Sequence, residues 1–331
     1  MRKDLLRTTT VWIVILVLAS LVGMFAAPYY ISLLIFLFIY ATLALSYDIL
    51  GGLLGYMNLG HIIFYGLGAY LFAIIINNLF MIWGSQLILL SVFVATLSSV
   101  AAASGIAALL SYPLFRIKGF YFAVATLGLI TLVNIITSSP EMSPITGGFS
   151  GISLVSDLAR ESNPRNSYFM AMTILALTSL IHVLIRRGTI RNIFSCIKED
   201  EQASECTGIN PFRYKQIAFI ISAALASLAG TAYMWFQTYT NPRLVFALEI
   251  AFLPIIIALL GGSGTLVGPL IGSIIFTLVY QLLLVNLPSL TKLIMGSVLI
   301  AVGIGASSGI VGLVRGLSRL RRKTYEASPP Y

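Results

Sequence analysis

The sequence predicts an all-α, polytopic membrane protein with about ten transmembrane helices. Of its 331 residues, 58% are hydrophobic and only 9% are charged, whereas a typical soluble domain has about 25% charged residues. Most of the chain divides into apolar runs of about 20 residues, the length that a helix needs to cross the hydrocarbon core. The alternating pattern of barrel strands is absent, so helices are the expected spanning elements. We expect one transmembrane domain over residues 1–331 and no separate soluble domain.

The apolar runs set the approximate bounds of the spans. The first run follows Arg2, Lys3 and Arg7, and it is longer than the apolar region of a cleaved signal peptide, about 7 to 15 residues. The segment 24–27 also makes a poor cleavage site, so we predict an uncleaved first span. The ten predicted spans are 11–27, 29–47, 53–78, 87–111, 119–138, 168–185, 216–237, 247–262, 267–286 and 291–312.

The positions of the basic residues predict the orientation. With an even number of spans and a cytoplasmic N-terminus, sixteen of the twenty Lys and Arg residues fall in cytoplasmic segments, as the positive-inside rule requires. The net charge of +9 is therefore a topology signal with a secondary attraction to anionic membrane lipid, not a nucleic-acid-binding surface. The sixteen are Arg2, Lys3, Arg7, Arg116, Lys118, the six basic residues from Arg186 to Lys215, Arg315, Arg319, Arg321, Arg322 and Lys323.

Two loops are long enough to have a role of their own. The outer loop, 139–167, is rich in Pro and Ser and is read as a solvated connection, while the inner loop, 186–215, is charged. From Ile190 to Cys206 the inner loop contains no Pro or Gly, Thr189 can cap its start and Gly208 can end it. The pattern predicts a short helix against the inner membrane surface.

The acids of this inner helix are Glu199, Asp200, Glu201 and Glu205. At such close spacing on a helix, like charges repel one another and gain nothing from local pairing. Either a basic partner surface or simple solvation explains them.

Glycine-rich interruptions occur twice, at Gly51, Gly52 and Gly55 and again at Gly261, Gly262, Gly264 and Gly268. The predicted topology places both interruptions at the same membrane face. Paired breaks of this kind are typical of unwound helix beside a substrate route. Close packing of helices through small residues is the alternative.

Residues with metal-binding or catalytic chemistry are few. Cys196 and Cys206 lie in the inner loop, where thiols stay reduced, and His61 and His182 have no Cys or carboxylate cluster near them in sequence. His61 could bond a freed carbonyl or a substrate, although we favour a packed structural role for both histidines. Catalytic motifs and the phosphate-binding G-x-x-x-x-G-K-[ST] are absent. We therefore expect no enzymatic activity, no cofactor and no metal.

Three segments together resemble one known family. They are G-H-I-I-F-Y-G-L-G-A-Y at 60–70, C-I-K-E-D-E-Q-A-S-E-C-T-G-I-N-P-F-R-Y-K-Q-I-A-F at 196–219, and L-G-G-S-G-T-L-V-G-P at 260–269. Shorter matches at 121–127 and 146–152 keep the same order. The chain resembles the LivM-type permease subunit of branched-chain amino acid ABC importers.

The resemblance implies a permease that works with separate ABC ATPase subunits, a second permease subunit and an extracytoplasmic substrate-binding protein. It implies the cytoplasmic (inner) membrane of a bacterium or archaeon, and a branched-chain or other aliphatic amino acid as solute. It makes the inner helix a coupling element that contacts the ATPase, with the coupling residues Glu199, Asp200, Glu201, Glu205 and Gly208. The candidate residues of the substrate pathway are Tyr56, Asn58, Gly60, His61, Thr126, Gly261 and Gly262.

Two alternatives remain open at this point. Tyr56 and Asn58 stand where the family commonly has Gln and Ser, so a related permease for urea or short amides is possible. A secondary transporter driven by an ion gradient is the other alternative. Proton coupling usually needs an ionisable group inside the membrane, and Asp48 and Glu249 both lie near predicted span ends, which weakens this alternative.

Overall fold

The structure, a computed structural model, describes residues 23, 27–117, 119–291, 293, 294, 296, 297, 300, 309, 310 and 312. Within these residues, eight helical segments are long and apolar enough to cross a membrane. They correspond to eight of the ten predicted spans, and the all-α polytopic fold is confirmed. The predicted spans 11–27 and 291–312 fall largely outside the described residues, so the total count and the side on which the termini lie stay predictions.

Fourteen α-helices and one pair of very short strands make up the described part of the chain. In chain order the helices are α1 (Pro28–Asp48), α2 (Ile62–Trp83), α3 (Ile88–Leu114), α4 (Phe120–Ser138), α5 (Ser143–Thr146), α6 (Ser156–Glu161), α7 (Pro164–Arg187), α8 (Thr189–Glu199), α9 (Glu201–Cys206), α10 (Pro211–Gln237), α11 (Pro242–Val245), α12 (Leu248–Ala251), α13 (Leu253–Gly261) and α14 (Val267–Asn286). The strands are β1 (Ile152–Ser153) and β2 (Tyr239–Thr240). A π-helix covers Ile49–Leu53, and 3₁₀ turns cover Leu59–His61, Ser85–Leu87, Gly148–Ser150 and Pro288–Leu290.

Helix α10 lies at the centre of the bundle and packs against α1, α2, α3 and α7. Its crossing with α2 is close enough to require glycine. A Cβ on Gly230 would lie 2.0 Å from the carbonyl oxygen of Tyr65, and a Cβ on Gly68 would lie 2.3 Å from that of Ser227. Lipid tails are as apolar as these side chains, so the hydrophobic effect does not drive membrane helices together. Small residues instead let the helices approach closely and gain van der Waals contacts.

Helix α3 shows the same principle over its whole length. Its buried face carries only Ser or Ala at every fourth position over five turns, whereas its other faces expose large apolar side chains such as Leu89 and Phe93 to the surroundings. The serine hydroxyls bond to carbonyls of the helix itself, as in the 2.6 Å bond from Ser99 Oγ to Ala95. This small-residue stripe consists of Ser91, Ala95, Ser99, Ala103, Ala107 and Ser111.

The outer loop, which was expected to be a solvated connection, is largely exposed and contains short ordered elements. Its strand β1 pairs antiparallel with β2, with Ile152 opposite Thr240. Asn77, on α2, holds the same loop from the side: its Nδ2 donates to the carbonyl of Ser153 (2.9 Å), and its Oδ1 accepts from the Val155 amide (3.1 Å). Backbone pairing and one side-chain amide therefore fix this loop on the ends of α2 and α10.

Candidate functional site

The first glycine-rich segment interrupts a helix inside the bundle. Helix α1 continues past Asp48 as a π-helix to Leu53, and the chain then stays non-helical until Leu59. Gly55 has φ +84°, which glycine adopts without strain. Helix α1 ends one residue beyond the approximate predicted bound at 47, and the π-helix extends the span to Leu53 because the glycine pair loosens the helix without ending it. The predicted unwinding is present, and its place on a substrate route stays a prediction.

Asp48 joins this interruption to the second glycine-rich segment. Its Oδ1 accepts hydrogen bonds from Ser263 Oγ (2.8 Å) and from the Gly264 amide (2.7 Å). Its Oδ2 lies 3.1 Å from Nε2 of His182 on α7. The side chains of Asp48 and His182 are both fully buried, so one carboxylate holds three separate parts of the bundle together.

The burial of Asp48 adds to what the sequence indicated. Asp48 was expected near a span end, and it lies five residues before the end of the helical segment Pro28–Leu53 with no exposed surface. An ionisable group therefore does lie within the bundle. Because fixed donors already occupy this carboxylate, its visible role is to connect helices.

The second glycine-rich segment is a close contact between α13 and α14. A Cβ on Gly261 would lie 1.7 Å from the carbonyl oxygen of Gly268, and a Cβ on Gly268 would lie 2.0 Å from that of Gly262. Gly262 and Gly264 also have positive φ angles of 116° and 75°. Here the glycines serve close helix packing, together with a sharp turn of the backbone.

Asn58, Gly60 and Thr126, three of the predicted pathway residues, lie close together. The Leu59 amide donates to Thr126 Oγ1 (3.2 Å), and a Cβ on Gly60 would lie 2.7 Å from the Thr126 carbonyl oxygen. Asn58 is only 1% exposed, yet neither its Oδ1 nor its Nδ2 has a hydrogen-bond partner among the residues that the structure describes. A buried amide without partners costs about 1 to 3 kcal/mol, so a compensating role for this side chain is expected.

His61 has the packed environment that the sequence favoured. It is fully buried, and its Nε2 lies 2.8 Å from Ser46 Oγ. Because the Ser46 hydroxyl donates to the Leu43 carbonyl (2.8 Å), it accepts from His61. Ser222 Oγ lies 3.4 Å from Nδ1 on the other side of the ring. These contacts tie α1, α2 and α10 together and give His61 a structural environment.

The inner loop contains two helices where one was predicted. Helix α8 begins at Thr189 after Gly188, and Asp200 in an extended conformation separates it from α9. Asp200 Oδ1 accepts from the amides of Gln202 (2.9 Å) and Ala203 (3.0 Å). Asp200 is therefore the N-cap of α9, and the predictions of one continuous helix and of a Thr189 cap are wrong.

Gly208 ends α9 as the sequence indicated. Its φ is +83°, its amide donates to the Glu205 carbonyl (3.0 Å), and the Ile209 amide donates to the Ser204 carbonyl (3.2 Å). These two bonds form a Schellman motif, which needs a left-handed residue at this position.

Glu201 is engaged inside the chain. Its Oε1 lies 2.5 Å from Lys215 Nζ on α10, and its Oε2 accepts from the hydroxyl of Tyr56 (2.6 Å). Lys215 also donates to Tyr56 Oη (2.9 Å), which closes a triangle of polar contacts. Neither a basic partner surface nor simple solvation, the two explanations offered for the inner acids, describes Glu201, because its carboxylate is paired within the chain.

A further contact ties α8 to the interrupted helix. Lys198 Nζ donates to the carbonyl of Gly52 (2.8 Å), and its stem lies against Gly55. An open cavity of about 430 Å³ lies between the inner helices, residues 55–57 and the start of α4. It is lined by Leu54, Gly55, Tyr56, Met57, Gly119, Phe120, Ala123, Ile197, Lys198, Glu199 and Glu201.

Sequence reasoning missed Asp48, His182, Lys198 and Lys215 as members of this region. The signals were present: Asp48 directly precedes the first glycine-rich segment, and Lys215 is an unexpected charge at the start of an apolar helix. Among the described residues, no group of three or more His, Cys, Asp or Glu side chains is placed to hold a metal ion.

Comparisons with known proteins agree with the resemblance seen in the motifs. Residues 29–303 match the family model described as the permease component of branched-chain amino acid transport systems. The chain is 27% identical over 310 residues to the high-affinity branched-chain amino acid transport system permease protein LivM of Escherichia coli K12, covering 86% of this chain and 70% of that protein. It is 26% identical over 246 residues to the permease protein LivH of Salmonella typhimurium, covering 71% of this chain and 79% of that protein.

An archaeal protein is also similar. The chain is 23% identical over 214 residues to the probable branched-chain amino acid transport permease protein LivM of Methanocaldococcus jannaschii, covering 63% of this chain and 60% of that protein. No solved structure gives a significant match. Because the family model covers most of the chain, this multi-pass membrane protein belongs to the permease-component family of branched-chain amino acid transport systems and is a transport subunit, not an enzyme.

Proposed function

We propose that this chain forms part of the translocation path of an ATP-driven importer in the cytoplasmic membrane of a bacterium or archaeon. The observation that carries the proposal is the family match over residues 29–303. The inner helices α8 and α9 support it, since they rest directly on an interrupted transmembrane helix. The proposed partners are two ABC ATPase subunits, a second permease and an extracytoplasmic binding protein.

The proposed solute is a branched-chain or other aliphatic amino acid, since the relatives carry that description. The test is uptake into liposomes that contain this chain, a second permease and the ATPase subunits, supplied in turn with binding proteins for leucine, for polar amino acids and for urea. We expect ATP-dependent leucine uptake. Uptake of urea alone, or uptake that follows an ion gradient without ATP, would overturn the proposal.

The proposed contact with the ATPase is the exposed side of α8 and α9. Glu199 and Glu205 are exposed, while Asp200 and Gly208 fix the turns on either side of α9. Glu201 contributes differently, because its carboxylate is turned to Lys215 and Tyr56. The two exposed glutamates are therefore the residues most available to a basic surface on another subunit.

Reversing these two charges should separate the ATPase from the permease. In the double variant Glu199→Lys/Glu205→Lys, attraction to a basic surface becomes repulsion, which costs several kcal/mol at an interface. We expect membrane insertion to stay normal and the amount of co-purified ATPase to fall by about tenfold or more.

The matched control is Asp157→Lys/Glu161→Lys, which makes the same charge change on α6 in the outer loop. Both control residues are exposed, and the predicted topology places them on the other side of the membrane. Full ATPase recovery with the α8–α9 variant, or equal loss with the control, would contradict the proposed contact.

The proposed pathway passes the Asn58, Gly60 and Thr126 cluster. Its support is the unpaired amide of Asn58, since a passing polar solute can supply the missing donor and acceptor. The amide lies just before the Leu59–Trp83 helical segment. Interrupted helices present unpaired polar groups of this kind beside substrate routes. Tyr56, His61, Gly261 and Gly262 would then shape the surrounding structure, and Tyr56 borders the inner cavity.

Replacing Asn58 with leucine should separate stability from transport. Leucine is similar in size and has no polar group to bury. The free energy of unfolding should therefore be unchanged or higher, by up to about 1 to 3 kcal/mol. Leucine uptake by the reconstituted importer should fall by about tenfold or more, because the solute loses its polar contact.

Thr178→Val is the control for this variant. Thr178 on α7 is also fully buried, and its hydroxyl has no hydrogen-bond partner within the described residues. The substitution therefore removes a buried, unpaired polar group elsewhere in the bundle. Unchanged uptake with Asn58→Leu, or an equal loss with Thr178→Val, would remove Asn58 from the pathway.

A further inference from the structure

Two contacts fasten the interrupted helix to the inner helices, and they lie on either side of Asp200. Before Asp200, Lys198 Nζ donates to the Gly52 carbonyl (2.8 Å). After it, Glu201 accepts from the hydroxyl of Tyr56 (2.6 Å). We call this pair of contacts the double tether. It holds both ends of the segment 52–56 against the junction of α8 and α9.

The buried ammonium of Lys215 contacts both groups of the Glu201–Tyr56 hydrogen bond. Lys215 is only 2% exposed and Glu201 is 22% exposed. The ammonium also lies 4.8 Å from the centre of the Tyr56 ring and 5.8 Å from that of Phe115, within the range of cation–π attraction. Removing Glu201 would be costly, because it would leave the buried charge of Lys215 without its partner.

The Tyr56 hydroxyl can act only as a donor toward Glu201. Burial, and then the hydrogen bond and negative charge of Glu201, raise the pKa of Tyr56 well above its usual value. The hydroxyl therefore keeps its proton at every physiological pH, and the contact does not depend on titration of the phenol.

The segment held by the double tether leaves the helix at Leu53, contains Gly55 with φ +84° and has no regular secondary structure from Leu54 to Asn58. Its other contacts lie within the transmembrane bundle: the Tyr56 amide donates to the Leu50 carbonyl (3.1 Å), and Leu53 and Leu54 are buried. Non-helical backbone at the edge of a membrane span keeps its place only through contacts with the rest of the protein. Lys198 and Glu201 supply such contacts from outside the transmembrane bundle.

We propose that Lys198, Glu201 and Lys215 are positioning residues that make the segment 52–56 move together with α8 and α9. A displacement of the inner helices by an ATPase then reaches Asp48 at one end of the interruption and Asn58 at the other. Without the double tether, the inner helices can move relative to the segment 52–56, and the displacement is not passed on. This inference rests on the proposed function, and it assigns Glu201 to transmission within the chain in place of ATPase contact.

The test uses the complete reconstituted importer with its ATPase subunits, second permease and binding protein. Solute uptake and ATP hydrolysis are measured side by side for the wild type and for Lys198→Met, which keeps the stem against Gly55 and removes the donor. We expect ATP hydrolysis to stay within about twofold, while solute moved per ATP falls by about fivefold or more. Lys198→Arg keeps a donor and should restore most of the ratio.

The control is Arg191→Met, which removes an exposed positive charge from the same helix α8. Hydrogen exchange of the complete complex gives a second readout: amides 53–57 should exchange about tenfold faster in Lys198→Met and at the wild-type rate in Arg191→Met. If the wild type shows no ATP-dependent uptake, the proposed function itself is overturned. If the wild type couples normally and Lys198→Met keeps the wild-type ratio and exchange rates, or Arg191→Met lowers the ratio equally, only the double tether is overturned.

Discussion

The variant Gly261→Ala should fail to reach the native fold. The added methyl would lie 1.7 Å from the carbonyl oxygen of Gly268 and 2.4 Å from its carbonyl carbon. These are backbone atoms, so no side chain can turn away, and α13 must separate from α14. We expect a loss above ~3 kcal/mol, beyond the usual range for overpacking, measured as the folded fraction after detergent extraction and as the thermal unfolding midpoint.

Gly105→Ala is the matched control for this prediction. Gly105 lies within α3, and no atom of the described part of the chain would come within 4 Å of an added Cβ. Alanine also favours helix over glycine by about 1 kcal/mol, so this variant should be at least as stable as the wild type. Equal stability of Gly261→Ala and Gly105→Ala would show that α13 and α14 are farther apart than described.

The variant Asp48→Ala should lose stability nearly as severely. Removal of the carboxylate leaves the Gly264 amide, the Ser263 hydroxyl and the His182 ring without their acceptor. Each buried donor without a partner costs about 1 to 3 kcal/mol, and the membrane interior offers no water in exchange. We expect a thermal unfolding midpoint that is lower by more than about 10 °C.

Two further variants, Asp48→Asn and Asp157→Ala, serve for comparison with the stability loss of Asp48→Ala. The asparagine keeps one carbonyl oxygen as acceptor for Gly264, so its loss should be intermediate. Asp157 is exposed and makes only a 3.9 Å contact with Arg160, and exposed pairs contribute about 0 to 1 kcal/mol. An Asp48→Ala protein that unfolds at the wild-type temperature would mean that Asp48 does not hold the two glycine-rich segments together.

The positions of the spans follow from the sequence because lipid imposes one requirement on every residue of a span. An apolar run of about 20 residues with few charges seldom forms anything except a transmembrane helix, and eight predicted spans match helices in the described residues. Helix α1 ends one residue beyond the predicted bound, but the span itself runs further for a local reason. Asp48 and the glycine pair are typical of the end of a span, whereas the π-helix carries the segment on to Leu53.

The inner acids show where sequence spacing stops being informative. The spacing rules for a helix concern pairs of residues three or four positions apart. The partners of Glu201 are instead Lys215, 14 positions later, and Tyr56, 145 positions earlier. The capping role of Asp200 was within reach, since Asp is a preferred N-cap. It was missed because Asp200 was counted as one of four surface charges.

The candidate site was predicted unevenly for a similar reason. The motif around Gly60 brought Asn58 and Gly60 to attention, and the fold places Thr126 beside them. Whether a side chain finds a partner depends on distant elements, so the packed surroundings of His61 and the unpaired amide of Asn58 appear only in the folded chain. Asp48 was discounted because it lies near a predicted span end, and its three partners come from segments far away in sequence.

The four-residue repeat of small side chains on α3 determines how this helix sits in the bilayer. Four residues turn an α-helix by about 400°, so each step shifts the contact line by about 40° and five steps carry it about 200° round the axis. Such a line cannot follow one upright neighbour, and α3 packs against both α2 and α10. Its 27 residues measure about 40 Å, and inclination lets that length fit a hydrocarbon layer of about 30 Å.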